Sequence, residues 1–260
     1  MLRDYTELTS RIQAAATLPG VIVDRIGEFE SGTRTYPMFR VRMGTGPTRV
    51  MIDAGIHGDE PAGVEAALRF VEANATNDDM LSRFTFAIFP CNNPTGWERD
   101  TRENVDGIDL NREFSVRKPP AEAAIISAAL QSNCFDLIFE MHEDIDAPGL
   151  YLYELAEDSE DYVGERIIDA VRGEGYPVNG EHCIEGMTAS NGIIRRKKVS
   201  GFRKTRLPLA IYAYRTCGGH VITLEPPVAV LSFEERVRIE LMALGIALGC
   251  ATTGSRTAPD

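Results

Sequence analysis

The sequence has no run of about 18 apolar residues, so nothing in it is long enough to cross a bilayer as a helix. It has no CxxC pair. Its five cysteines (Cys91, Cys134, Cys183, Cys217 and Cys250) are odd in number and widely spaced, which reads as reduced thiols rather than a disulfide framework. It is short of cations: 27 Lys plus Arg against 39 Asp plus Glu give a net charge of −12, which disfavours sequence-independent binding to nucleic acid. The N-terminal segment carries Asp4 and Glu7 and lacks a continuous apolar stretch, unlike a secretory signal. No GxSxG, P-loop or GxGxxG string is present. With 43% hydrophobic and 25% charged residues, the chain is not disordered, collagenous or coiled-coil in composition. The expectation is a cytoplasmic, acidic α/β protein forming one domain over residues 1–260, with neither membrane nor nucleic acid as partner.

What is present is an alternation of short apolar runs and helical patterns. Residues 1–17 suit a short amphipathic helix closed by Pro19-Gly20. Val21–Phe29 and Tyr36–Met43 read as strands separated by a turn at Gly32. RVMIDAGI (49–56), FTFAIF (84–89) and FDLIFEM (135–141) read as buried strands, and Gly149–Tyr153 and Val221–Leu224 as shorter ones. Helices are expected from Pro61, where Val64, Leu68 and Val71 share a face, over Pro119–Leu130 and Ser159–Gly173, and from a Ser232 cap with Glu235 to about Cys250. The tail ATTGSRTAPD reads as frayed. Buried strands alternating with helices predict an α/β fold: a mixed, mostly parallel central sheet with helices on both faces. In such sheets ligands bind beyond the carboxyl ends of the strands.

Two of the four histidines follow buried strands. His57 ends one run and is followed by Gly58, Asp59 and Glu60, so an imidazole and a carboxylate three residues apart can converge at a strand-to-helix turn. His142 ends another strand. Two His and one Glu with an open position is the pattern of a catalytic zinc site, although HxxE alone is also an ordinary turn. The loop TRENVDGIDLNREF carries Arg102, Asn104, Asp109, Asn111 and Arg112, whose guanidinium forks and amides suit a carboxylate or, equally, a solvated connection. Glu225 follows an apolar strand and precedes two prolines. A glutamate there is either solvent-exposed or a general base and acid beside activated water. Glu143 and Asp144 beside His142 read as supporting groups or solvated ones, and Tyr151 and Tyr153 as packing. Cys217-Gly-Gly-His220 has no supporting Asn or Asp pattern for a thiol–imidazole pair. Seven basic residues lie between Arg195 and Arg206. Such a cluster either attracts anionic substrates, meets an acidic surface of another copy, or is a solvated hairpin.

His57-Gly-Asp-Glu60, Asn93-Pro-Thr-Gly96, Arg102-Glu-Asn104, Gly107-Ile-Asp-Leu-Asn-Arg112, His142 and Glu225 together resemble, in order and context, the zinc metallocarboxypeptidase family of funnelin type. The resemblance spans about residues 50–225. The RxNxxGxDLNR string is similar to bacterial murein-peptide amidases, and DLNR with a preceding arginine to the succinylglutamate desuccinylase and aspartoacylase branch. The resemblance implies one zinc ion held by His57, Glu60 and His142, with Asp109 orienting His57. It implies that Arg102 polarises the scissile carbonyl, that Asn111 and Arg112 hold the substrate's terminal carboxylate, and that Glu225 activates water. The activity so implied is carboxypeptidase-type release of a C-terminal residue from a small peptide. The alternatives are an N-acyl amino-acid deacylase and a peptide-binding pseudoenzyme. Self-association stays open. One departure stands out: the family's tyrosine about twenty residues before the glutamate is replaced by Arg203, and the nearest tyrosines are Tyr212 and Tyr214.

Overall fold

The computed structural model describes residues 3–131, 133–156, 162–195 and 205–251, the side chains of 216 and 217 excepted. Strands β1 (Ile22–Ser31) and β2 (Arg34–Met43) form an antiparallel hairpin. Its turn holds Gly32 at φ +62, a left-handed conformation that glycine adopts without strain. The centre of the sheet is parallel: β3 (Thr48–Ala54) lies between β4 (Phe84–Phe89) and β5 (Leu137–Met141), and β10 (His220–Glu225) flanks β5. β6 (Tyr151–Leu155) pairs antiparallel with β10 and parallel with β9 (Ile193–Arg195). The resulting eight-stranded order is β1-β2-β4-β3-β5-β10-β6-β9, and Cys183–Ile184 (β7) and Met187–Thr188 (β8) form a separate ribbon.

The central strands are apolar on both faces because both are covered. Val50, Ile52, Phe139 and Ile222 point into one core with helices α2 (Pro61–Asn74), α6 (Gly164–Gly173) and α8 (Phe233–Cys250). Met51, Ile138 and Val221, one residue out of phase, point into the other with α5 (Ala121–Leu130) and α7 (Leu209–Cys217). Phe86, Phe89, Phe114 and Phe139 are fully buried, each worth about 1.5–3 kcal/mol of apolar transfer. This is the mixed, mostly parallel sheet with helices on both faces expected from the pattern.

Several local expectations hold closely: helix α1 (Tyr5–Ala14) falls within residues 1–17. α2 begins at Pro61, whose missing N–H loses nothing in a first turn. Ser232 and Glu235 close a reciprocal capping box on α8. Among the described residues, α6 starts at Gly164 rather than Ser159, and residues 159–161 lie outside the description, as does the tail from 252. The short helices α3 (Asp78–Arg83) and α4 (Pro94–Arg99), and α7, carry no periodic signal that the sequence reading used. No helix among the described residues is long and apolar enough to cross a membrane.

Candidate active site

The parallel strands β3, β5 and β10 lie side by side, so their carboxyl ends open on one edge of the sheet. His57 and Glu60 occupy the turn between β3 and α2, His142 follows β5 directly, and Glu225 is the last residue of β10. The turn is fixed from several sides. A Cβ on Gly58 would lie 1.9 Å from the Gly96 backbone, so only glycine lets these two segments touch. Arg3 donates to Gly58 O at 2.7 Å and to Trp97 O at 2.9 Å. Asn93 caps α4 through its side chain and donates to Arg102 O at 3.2 Å, tying this turn to the loop that carries Arg102.

His57 Nδ1 lies 2.6 Å from Glu60 Oε1 and His142 Nδ1 lies 2.8 Å from Glu60 Oε2. The three potential ligand atoms fall within 4.8 Å of one another, and all three residues are 3% exposed. On the far side of the ring, His57 Nε2 is 3.2 Å from Asp109 Oδ1. An N–H donated there leaves the Nδ1 lone pair aimed at the cluster, the tautomer a metal ligand needs. Burial opposes ionisation of Glu60, but the two imidazoles outweigh it and hold the carboxyl down to about 2. Burial likewise opposes protonation of His57, yet Glu60 and Asp109 raise it to about 9. Two nitrogen donors and a carboxylate converging in a dry site, with an acceptor behind one ring, fit a zinc ion by number and type of donor. His57, Glu60 and His142 could therefore hold a metal.

The loop before α5 places the cations around this cluster. Arg102 Nη1 is 3.6 Å from Glu60 Oε1 and its Nη2 is 3.3 Å from Asp109 Oδ2, so the guanidinium sits beside the candidate ligands. Asn111 accepts the Leu209 N–H at 2.8 Å through Oδ1, which orients its amide and leaves Nδ2 for another partner. Arg112 is exposed beside it. Asn104 does something else: its Oδ1 accepts from Asp106 and Ile108 and its Nδ2 donates to Glu122, so it shapes the loop instead of facing the cleft. Buried Leu110 shows that the segment is packed.

His57, Glu60, Arg102, Asn111, Arg112, His142 and Glu225 line one cleft of about 440 Å³. Glu225 is pushed up to about 8, first by burial and then by Glu60 and Asp144, against the pull of His142 and Arg102. Glu143 is buried among partners, accepting from Ala62 N at 2.7 Å and from Arg236 Nε. Tyr212 and Tyr214 lie on α7 against the second core and do not line the cleft. Tyr151 and Tyr153 do line it: Glu225 pairs with Tyr151 across the β10–β6 ladder, and the Tyr151 hydroxyl donates to Asp144 Oδ2 at 2.8 Å. Glu140 and Glu154 also reach the cleft. None of these four carried a sequence signal stronger than an acid or phenol inside a strand. His220 Nε2 lies 3.0 Å from Glu154 Oε1, and the Cys217 side chain is outside the description. In the basic segment, Arg195 pairs with Glu154 and Glu165 and Arg206 with Glu113, while Arg196, Lys197, Lys198, Arg203 and Lys204 lie outside the described residues.

The sequence pattern of the zinc carboxypeptidase family matches residues 23–130. Over 90 residues the chain is 34% identical to carboxypeptidase E of Caenorhabditis elegans, a match covering 26% of this chain and 19% of that protein. Its fold is that of a candidate metallopeptidase of Shewanella amazonensis, with TM-score 0.79 and 20% identity over 96% of this chain and 94% of the other. It is also shared with a metallo-carboxypeptidase of Burkholderia cenocepacia, with TM-score 0.70 and 19% identity over 95% and 69%. Carboxypeptidase A of Helicoverpa armigera gives 0.68 and 16% over 96% and 73%. The resemblance seen in the motifs thus has a counterpart in a family pattern over residues 23–130 and in a shared fold over nearly all of the chain.

Proposed function

We propose that this chain, a zinc-metallocarboxypeptidase-like hydrolase by family pattern and fold, releases the C-terminal residue of a small peptide that bears a free carboxylate. The observation that carries the reading is the His57–Glu60–His142 cluster facing Glu225, Arg102, Asn111 and Arg112 across one cleft. His57, Glu60 and His142 would hold one zinc ion, which would supply a Lewis acid to polarise a carbonyl and acidify water. Arg112 and the Nδ2 of Asn111 bind the terminal carboxylate and set the register of the peptide bond. Glu225 accepts a proton from the attacking water and returns it to the leaving nitrogen. Its proton affinity, raised toward neutrality by burial, suits both halves of that transfer. Arg102 donates to the oxygen on which negative charge develops, and Asp109 holds the His57 ring.

A second reading, hydrolysis of an N-acyl amino acid, uses the same groups. The modest volume of the cleft, about 440 Å³, favours small substrates of either kind. Metal analysis followed by release assays on peptides with free and amidated C-termini, and on N-acyl amino acids, tests both. Cleavage restricted to free carboxylates is expected. Equal cleavage of an acid and its amide would remove the carboxylate clamp.

A further inference from the structure

We propose that Arg3 is a positioning residue for zinc: it holds the turn between β3 and α2 in the shape that brings His57 and Glu60 together. This role rests on the hydrolase reading above, which assigns the ion to His57, Glu60 and His142. Gly58 stands between His57 and Glu60, so its backbone sets how those two ligands converge. Both of its backbone groups are engaged. Its N–H donates to Arg102 O at 3.4 Å, and its carbonyl accepts from Arg3 Nη1 at 2.7 Å, across 55 residues of sequence.

The same Nη1 also donates to Trp97 O at 2.9 Å, so two carbonyl oxygens from separate segments point at one nitrogen. Those segments are in backbone contact: a Cβ on Gly58 would lie 2.2 Å from Trp97 N. Two carbonyl dipoles aimed at one point repel each other unless a donor sits between them, and a cation binds them most strongly. Arg3 is fixed for that task. Its Nη2 pairs with Asp100, its backbone N–H donates to Glu98 O at 3.0 Å, and its guanidinium carbon lies 5.5 Å from the Trp97 ring centre. Its side chain is only 22% exposed, and Gly58 is buried.

These contacts single out the metal turn and not the fold at large. Helix α1 docks through other residues: Tyr5, Leu8 and Ile12 are buried, and the Tyr5 hydroxyl donates to Pro37 O at 2.7 Å. With Arg3 neutralised, Gly58 O and Trp97 O lose their shared donor, and the turn carrying His57 and Glu60 is free to part from α4. Zinc bonds of about 2.0–2.2 Å to nitrogen and oxygen leave little room for such a shift. Groups that orient ligands without touching the metal typically account for about 10- to 100-fold in affinity. Loss of Arg3 therefore shows in zinc binding by protein that is still folded.

The test is the zinc dissociation constant of the metal-free protein, read by competition with a chromogenic chelator at a temperature where circular dichroism shows each variant folded. Arg3→Met should bind zinc about 10- to 100-fold more weakly than wild type. Arg3→Gln, which keeps a neutral donor, should fall between the two, and it carries the reading if Arg3→Met does not fold. Tyr5→Phe loosens the same segment through its bond to Pro37 without touching the turn, and its zinc affinity should stay within about twofold of wild type. Wild-type affinity in the Arg3 variants, or an equal loss in Tyr5→Phe, overturns the proposal. The two readings separate in the same titration. A wild-type protein that binds no zinc would sink the hydrolase reading and the role of Arg3 together, whereas equally tight zinc in wild type and both Arg3 variants would sink the role of Arg3 alone.

Discussion

Arg236→Met in the chelator-treated protein should produce a stability loss that depends on pH. Arg236 is 8% exposed, and its Nε donates to Glu143 while its Nη1 donates to Leu231 O at 2.6 Å. Glu143 in turn accepts the Ala62 N–H at the start of α2, one turn from Glu60, so this ion pair braces the segment that presents a candidate ligand. Even with Arg236 present, Glu143 is raised to about 7, chiefly by burial, with Glu60 adding to the rise. Methionine would fill the stem's volume but remove the charge, and the Glu143 value would climb further.

A carboxyl that holds its proton more tightly in the folded state releases it on unfolding, so stability falls as pH rises above the ordinary value of 4.5. At pH 5 a neutral Glu143 still accepts from Ala62, and the loss should be about 2–3 kcal/mol, the worth of the two Arg236 hydrogen bonds to Leu231 O and Glu143. At pH 8 the variant holds Glu143 protonated against a solvent that would ionise it, and the loss should exceed that at pH 5 by about 1–1.5 kcal/mol, the worth of the one unit between about 7 and pH 8. Glu240, which is fully buried and raised well above its ordinary value by desolvation and then by Glu143, stays protonated in both proteins and cancels from the difference. Urea denaturation at the two pH values reads the effect. Glu143→Gln combined with Arg236→Met should bring the loss at pH 8 back to that at pH 5. An equal loss at pH 5 and pH 8, or none at pH 8, would refute the argument.

Purified protein should carry about one equivalent of zinc, and His57→Ala or His142→Ala should remove both metal and activity; full occupancy in His142→Ala would sink the ligand assignment. Glu225→Gln should retain fold and metal while losing about 10²–10⁴-fold in turnover, and wild-type rates would move the base to another group. Arg112→Ala should mainly raise KM, because its contact exists before and during reaction. Arg102→Ala should mainly lower kcat, and steady-state kinetics showing the opposite split would exchange the two roles.

The parts of the site that were legible in the sequence are those governed by local rules. His57 and Glu60 lie within one turn, His142 and Glu225 each close an apolar strand, and the expectation that parallel strands offer ligands at their carboxyl ends brings them together without further information. The capping box of α8 and the start of α2 at Pro61 were legible for the same reason, since each depends on residues three or four apart. α3 and α4, six residues each, are too short for a 3.6-residue period to show. α7 begins after Pro208, and its run LAIYAYRTC is as apolar as a strand.

What could not be read depends on strand register and on partners far apart in sequence. Arg236 and Glu143 are 93 residues apart, and no spacing rule links them. Tyr151 and Tyr153 look like strand packing until the antiparallel β10–β6 ladder sets Tyr151 opposite Glu225 and Tyr153 opposite Thr223. Tyr212 and Tyr214 are nearer to Glu225 in sequence, but helix α7 turns them toward the second core. Glu140 did leave a trace: it is the one acid between Leu137 and Met141 in an otherwise apolar buried strand. Its Oε2 accepts the hydroxyl of Thr223, a partner 83 residues away that no spacing rule links to it.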